Sequence, residues 1–197
     1  TLIYVKALDG GDPALEANYR DEVFEIEAPF SGEGKSLVKT TNRFSGIDWG
    51  TDNTAIVYDY WWDTRNRKAY VFNPSNSSSK PKVLYDRNYQ DIYSDPGSFL
   101  KARNTFNKSV LMLHKGNAYL RGAGFSKEGQ FPFIDRLNIT TLNKSRVYQS
   151  KYTDKVEAIQ DFNPSTNELI VRIESPTEYP NYYSKKTSGK KLSKITH

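Results

Sequence analysis

The chain has 197 residues, with 28 Lys and Arg against 23 Asp and Glu, so its formal charge is +5. Aromatic residues make up 14% of the chain, which excludes a disordered protein, and the absence of cysteine excludes disulfides, thiolate metal sites and cysteine nucleophiles. The two histidines, His114 and His197, are too few for a multi-histidine metal centre. No apolar run approaches the length of about 20 residues that a membrane helix needs. We therefore expect no cofactor, no metal and no membrane span in this segment.

The first half of the chain is predicted to form short β-strands, because apolar and β-branched runs alternate with turns rich in Gly, Pro, Asn, Asp and Ser. Three short strands come first, at Leu2–Leu8, Val23–Ala28 and Leu37–Val38. They are followed by a four-stranded antiparallel meander, which opens at Phe44 and has strands at Ile47–Trp49, Ala55–Trp62, Arg65–Phe72 and Val83–Tyr85. The continuous apolar and aromatic character of the long second strand is typical of a strand covered on both faces.

The same pattern returns in the second half of the chain. Strands are predicted at Val110–Leu113, Ala118–Leu120, Phe133–Ile139, Arg146–Tyr148, Ile159–Phe162 and Leu169–Ile173. The segment around Asp161 resembles the one around Asp48, and their separation fits two repeat lengths. Four-stranded meanders that repeat every 40 to 50 residues or so are typical of β-propeller blades.

We therefore predict an all-β chain that forms a partial, open β-propeller of about four four-stranded antiparallel blades. The approximate blade limits are residues 1–43, 44–93, 98–152 and 153–197. Closed propellers more often contain six to eight blades, so the chain is expected to be a piece of a larger propeller. A β-sandwich or an up-and-down barrel is the alternative.

The isoelectric point of about 9.2 raises the possibility of a nucleic-acid binder. Acidic residues interrupt the basic ones, however, at Asp21, Glu22, Glu25 and Glu27. The exception is the C-terminal tail, which carries Lys185, Lys186, Lys190, Lys191 and Lys194. We interpret these lysines as a solvated hairpin and expect no nucleic-acid partner.

The chain contains no recognisable catalytic set of its own. A serine hydrolase needs a base, normally histidine, and His114 lies at the end of a strand-like run, where a structural role is expected. The segment 124–129 has one residue too many for the Gly-X-Ser-X-Gly pattern of a nucleophile elbow. Segment 9–12 contains two aspartates but lacks the ligand pattern of a calcium loop, so a turn is predicted. No catalytic residue and no metal ligand is assigned.

Several short motifs resemble a known family. They include Ala7–Pro13, Tyr19–Asp21, Arg65–Pro74, Gln90–Ser98 and Phe131–Arg136. In this order they resemble the N-terminal β-propeller of the prolyl oligopeptidase family of serine peptidases, in its glutamyl-endopeptidase-like branch. The resemblance covers essentially the whole chain, and the motif around Asp95-Pro96-Gly97 is its most specific part.

The resemblance implies a propeller of seven or eight blades that caps a C-terminal α/β-hydrolase domain carrying the Ser, Asp and His of the triad. The expected partners of this chain are that domain and a peptide substrate, and the chain alone should be inactive. The triad residues match nothing in this sequence. The compartment is left open, with a periplasmic or secreted location in a Bacteroides-type bacterium as the leading hypothesis.

The loop Tyr93–Ser98 is the candidate binding site, as a lid or a domain interface, with Tyr93, Asp95, Pro96 and Gly97 as its site residues. Proline fixes one backbone angle there and glycine permits unusual ones. An ordinary turn between blades is the alternative interpretation.

A free-standing module that binds protein or carbohydrate is the alternative function, with Tyr60, Trp61 and Trp62 as a ligand platform. Packing of these aromatic side chains between blades is the expected role. The blades at the two ends of an open propeller leave apolar faces bare, so a homodimer through these faces is also expected.

Overall fold

The computed structural model describes residues 1–196, and His197 lies outside the described residues. Within this range the chain forms twenty β-strands and no α-helix. The strands of the first half are β1 (Leu2–Ala7), β2 (Asp21–Ile26), β3 (Lys35–Thr40), β4 (Arg43–Thr51), β5 (Thr54–Trp61), β6 (Asn66–Phe72) and β7 (Lys82–Asn88).

Short strands dominate the middle of the chain, and longer ones return at the end. The middle strands are β8 (Ser98–Phe99), β9 (Lys101–Arg103), β10 (Ser109–Leu111), β11 (Leu113–His114), β12 (Asn117–Gly122), β13 (Phe125–Ser126) and β14 (Gly129–Gln130). The last strands are β15 (Phe133–Asn138), β16 (Lys144–Gln149), β17 (Val156–Asn163), β18 (Glu168–Ser175), β19 (Glu178–Lys186) and β20 (Ser193–Lys194).

The chain divides into two compact units. The N-terminal unit contains residues 1–91 and 104–111, and the C-terminal unit contains residues 92–103 and 112–196. Each unit contains two sheets of three or more antiparallel strands, as expected for successive propeller blades.

In the N-terminal unit, the sheet β1-β2-β3 packs on the meander β4-β5-β6-β7. The interface is made by small and medium apolar side chains, such as Val23 on β2, Val38 on β3 and Val57 on β5. Strand β5 is the centre of this core, because Ala55, Ile56 and Val57 expose no surface at all. The prediction that this strand is covered on both faces is therefore confirmed for its first half.

In the C-terminal unit, one sheet has the order β11-β12-β15-β16, with β8 also paired to β12, and the other has the order β17-β18-β19-β20. Their interface, like that of the N-terminal unit, combines aliphatic and aromatic side chains. Tyr119, Tyr148 and Phe162 pack there with Leu169 and Val171 of β18. The rings of Tyr119 and Phe162 lie 5.3 Å apart, in the tilted geometry that aromatic pairs prefer.

The predicted fold class, an all-β partial propeller of about four blades, is confirmed. The blade limits themselves stay a prediction. Of the four sheets with three or more strands, the first has three, whereas the others have four or five.

One prediction about packing is wrong. Two of the three aromatic residues at the end of β5 do not pack between sheets, because Tyr60 is exposed and Trp62 keeps 64% of its surface exposed, whereas Trp61 is half-buried. Tyr60 and Trp62 lie at the tip of the β5–β6 hairpin, beyond the part of the strand that the neighbouring sheet covers.

Candidate functional site

The loop Tyr93–Ser98 is held in one conformation by its own sequence. The carboxylate of Asp95 accepts a hydrogen bond from the Gly97 N–H at 3.0 Å, which closes a tight turn. Gly97 has φ +83°, and a Cβ atom placed on it would lie 2.4 Å from the carbonyl oxygen of Arg121 on β12. Only glycine fits this backbone angle and this close approach, so the loop lies tightly against β12.

A cavity of about 260 Å³ lies beside this loop, within the C-terminal unit. Three of the four predicted site residues, Tyr93, Asp95 and Pro96, line it, whereas Gly97 sets the path of the loop. The remaining lining residues are Ser94, Gly124, Phe125, Ser126, Phe131, Phe133, Asp135, Lys144, Arg146 and Gln149. The cavity therefore has an aromatic rim and a charged floor.

The charged floor is built from two facing strands. Asp135 on β15 lies directly opposite Arg146 on β16, and the Asp135 side chain accepts a hydrogen bond from Arg146 Nε at 2.5 Å. Asp135 is only 2% exposed, so its charge needs this partner. Lys144 Nζ lies 3.7 Å from the other carboxylate oxygen, and the Arg146 guanidinium carbon lies 4.0 Å from the centre of the Phe133 ring.

Sequence reasoning missed the charged floor. Asp135 was part of a family motif and Arg146 only marked the start of a predicted strand. A signal was present, because Lys144 and Arg146 are two residues apart and therefore lie on one face of their strand. The strand pairing that brings Asp135 beneath them could not be read without the register.

A second buried ion pair lies in the same unit and corrects a prediction. Lys185 was expected in a solvated hairpin, but its side chain is 9% exposed and its Nζ lies 3.3 Å from the buried carboxylate of Glu157. The same amine donates to the Tyr148 hydroxyl at 2.8 Å, and that hydroxyl donates to Glu157 at 2.6 Å. Burial, followed by the hydrogen bond to Glu157, raises the pKa of Tyr148, so the phenol stays protonated.

The N-terminal unit contains a different charge network, at the turn that begins at Asp9. Both carboxylate oxygens of Asp9 accept hydrogen bonds from Arg43 Nη2, at 2.8 and 2.7 Å, and one accepts a bond from Arg20 Nη1 at 2.8 Å. Burial acts to raise the pKa of Asp9, but the hydrogen bonds from Arg20 and Arg43 outweigh it and lower the pKa to about 2. The predicted turn is present, and the Asp9 carboxylate ties it to β4.

The aromatic residues at the tip of the β5–β6 hairpin form a separate surface, on which Trp62 is exposed and Trp61 is half-buried. The guanidinium of Arg65 stacks on the Trp62 ring at 3.8 Å, and that of Arg20 stacks on the Trp61 ring at 4.2 Å. Such stacks hold large aromatic rings in place at the surface. The role of this surface in ligand binding stays a prediction.

His114 is the one histidine among residues 1–196. His114 lies on β11, as predicted for a strand-end histidine, and in this part of the chain its imidazole has no serine hydroxyl as a hydrogen-bond partner. Groups of three or more His, Asp or Glu side chains arranged to hold a metal are absent from the same residues. The described chain also contains no helix with the length and apolar character of a membrane span.

The chain is similar to two curated plant proteins, both of them probable glutamyl endopeptidases. The chain is 32% identical to a probable chloroplastic glutamyl endopeptidase of Arabidopsis thaliana over all of its length, and 33% identical to that of Oryza sativa subsp. japonica over 99% of its length. It spans 22% of each of these proteins. No family model matches the chain.

Among solved structures, the crystal structure of TolB from Acinetobacter baumannii is similar with a TM-score of 0.41 and 12% sequence identity, over 91% of this chain and 38% of TolB. The curated relatives are more informative, because the similarity to them includes the segments that carry the predicted resemblance. The chain is thus similar over its whole length to glutamyl endopeptidases, of which it spans about a fifth, and its resemblance to the glutamyl-endopeptidase-like branch is confirmed.

Proposed function

We propose that the chain is a non-catalytic β-propeller portion of a serine peptidase of the prolyl oligopeptidase type. In this role it gates access of peptides to the active site and docks the C-terminal α/β-hydrolase domain. The observation that carries the proposal is the match to glutamyl endopeptidases over the whole chain, although the chain is only 22% of their length.

Two features of the described residues support this role. The one described histidine, His114, is not hydrogen-bonded to a serine, so the proposal places the catalytic triad in the hydrolase domain. The loop Tyr93–Ser98 is rigidly held and lines an open cavity, as a lid or an interface loop requires. Loops placed by a rigid β-scaffold often carry binding function.

The test is an assay of the purified chain with fluorogenic peptides that contain glutamate. We expect no cleavage above the background of the buffer. Cleavage that persists through purification and is lost in His114→Ala would contradict the proposal, because the chain would then contain its own catalytic base.

A free-standing binding module is the second candidate, and the arginine-stacked rings of the exposed Trp62 and the half-buried Trp61 favour it. Titration with oligosaccharides, followed by tryptophan fluorescence, tests this function. A saturable change that is lost in Trp62→Ala would support a carbohydrate platform, and its absence would leave the peptidase role as the better account.

A further inference from the structure

Arg146 is held at two of its sides. Asp135 binds its Nε at 2.5 Å, and the ring of Phe133 lies against the face of the guanidinium. Neither terminal nitrogen of Arg146 has a hydrogen-bond partner within the described chain, and the side chain is 40% exposed. A guanidinium fixed in this way presents a pair of N–H donors in the geometry that matches a carboxylate.

Lys144 adds a second cation on the same strand face. Its side chain is 49% exposed, and its amine lies 3.7 Å from Asp135, at the outer limit of an ion pair. Asp135 is therefore matched mainly by Arg146, which leaves the lysine charge available. The other carboxylate that lines the cavity belongs to Asp95, and one of its oxygens is bound by the loop amide of Gly97.

Aromatic side chains line the cavity together with these cations. Tyr93 and Phe125 are exposed, and Phe131 is half-buried. A volume of about 260 Å³ accommodates one or two side chains of an extended peptide but not a folded domain. The cavity therefore combines apolar contact for a peptide with donors for one negative group.

We propose that this cavity is a subsite for the carboxylate side chain of a bound peptide, with Arg146 as the bidentate donor and Lys144 as the second cation. This inference rests on the proposed peptidase function, because it assumes that peptides pass the loop Tyr93–Ser98. It extends that function by naming the substrate feature that the propeller portion recognises and the two residues that recognise it.

The experiment titrates the 197-residue chain with two capped pentapeptides, which carry a single glutamate or a single glutamine between alanines. The peptides have the same size and differ only in the negative charge. We expect the glutamate peptide to bind at least about tenfold more tightly, the value of one charge-assisted bidentate contact. The preference should fall as salt is raised, since both cations are partly exposed.

Three variants test which residues cause the preference for the glutamate peptide. Lys144→Gln should reduce the preference for the glutamate peptide several-fold while the Arg146–Asp135 pair stays intact. Arg146→Lys should abolish this preference, because lysine keeps the charge but lacks the paired N–H donors of the guanidinium. The matched control is Arg136→Gln, an exposed arginine on β15 with the same loss of charge outside the cavity. Circular dichroism of each variant checks that the sheets are formed.

Equal affinity for the two peptides, or no binding of either peptide, would overturn the subsite. A preference that survives in Arg146→Lys and falls in Arg136→Gln would also overturn it, because general surface charge would then be the cause. None of these outcomes contradicts the peptidase role, which fails only if the chain cleaves peptides with its own residues.

Discussion

The N-terminal unit and the C-terminal unit both bury carboxylates beside their sheets, but they satisfy them differently. In the N-terminal unit, Asp9 is bound by two arginines and a backbone amide, and Arg43 also binds Asp21. In the C-terminal unit, Glu157 has one cation, Lys185, and one phenol, Tyr148. Asp9 keeps a second arginine when one is removed, whereas Glu157 keeps no cation within the described chain. Loss of one cation should therefore lower the free energy of unfolding more in the C-terminal unit than in the N-terminal unit.

The largest expected effect comes from Lys185→Met, which removes the only cation that contacts Glu157 among the described residues. A buried charge without its partner costs about 4 kcal/mol. Urea unfolding followed by circular dichroism measures the free energy of unfolding. The matched control is Lys186→Met, whose ion pair with Glu168 is exposed and should contribute less than about 1 kcal/mol. An equal loss of unfolding free energy in both variants would show that the buried pair stabilises the chain no more than the exposed pair does.

The corresponding change in the N-terminal unit is Arg43→Met. Asp9 keeps Arg20 and the Gly11 N–H, and Asp21 keeps the Phe44 N–H, so we expect a loss of about 2 to 3 kcal/mol. The same unfolding measurement applies, with Lys39→Met as the control, because Lys39 is an exposed lysine whose amine lies 3.8 Å from Glu22. A loss larger than that of Lys185→Met would reverse the comparison between the two units.

A smaller contrast separates two glycine turns, one in each unit. Gly11 and Gly97 both have positive φ, and each amide is bound by the carboxylate of an aspartate two residues earlier. Gly11 has open space around it, whereas a Cβ on Gly97 meets the backbone of Arg121. We expect Gly97→Ala to destabilise the chain by about 1 kcal/mol more than Gly11→Ala does. Equal melting temperatures for the two variants would contradict the close approach.

The smallest expected effect concerns pH. The pKa of Asp9 is lowered to about 2, from a usual value of 3.8, so its pairing stabilises the folded chain above about pH 4. That contribution is lost as the pH falls from about 4 towards 2, because the unfolded chain takes up the proton first.

Asp9→Asn should therefore flatten the fall in unfolding free energy over this pH range, as measured by urea unfolding at several pH values. The control is Asp63→Asn, an exposed carboxylate in the β5–β6 turn. A flattening of the same size in the control would show that Asp9 is not the group responsible.

Strand positions were predictable because turn residues and apolar runs are local signals, as the segments around Asp48 and Asp161 illustrate. The buried charges were not predictable. Lys185 and Lys186 are identical neighbours in sequence, but the alternation of strand faces buries one and exposes the other, and only the register decides which. The loop at Pro96 and Gly97 was found from its local chemistry, whereas the Asp135–Arg146 pair depends on which strands meet.

Strand β1 has a consequence for amide hydrogen exchange. It pairs only with β2 within the described sheet, so alternate amides along Leu2–Ala7 point away from any strand partner. A dilute sample should show protection on every second amide of β1. A homodimer in which this edge pairs with a strand of a second copy would protect the other amides as well. The exchange pattern of six residues, followed against protein concentration, thus reports whether this edge stays open to solvent.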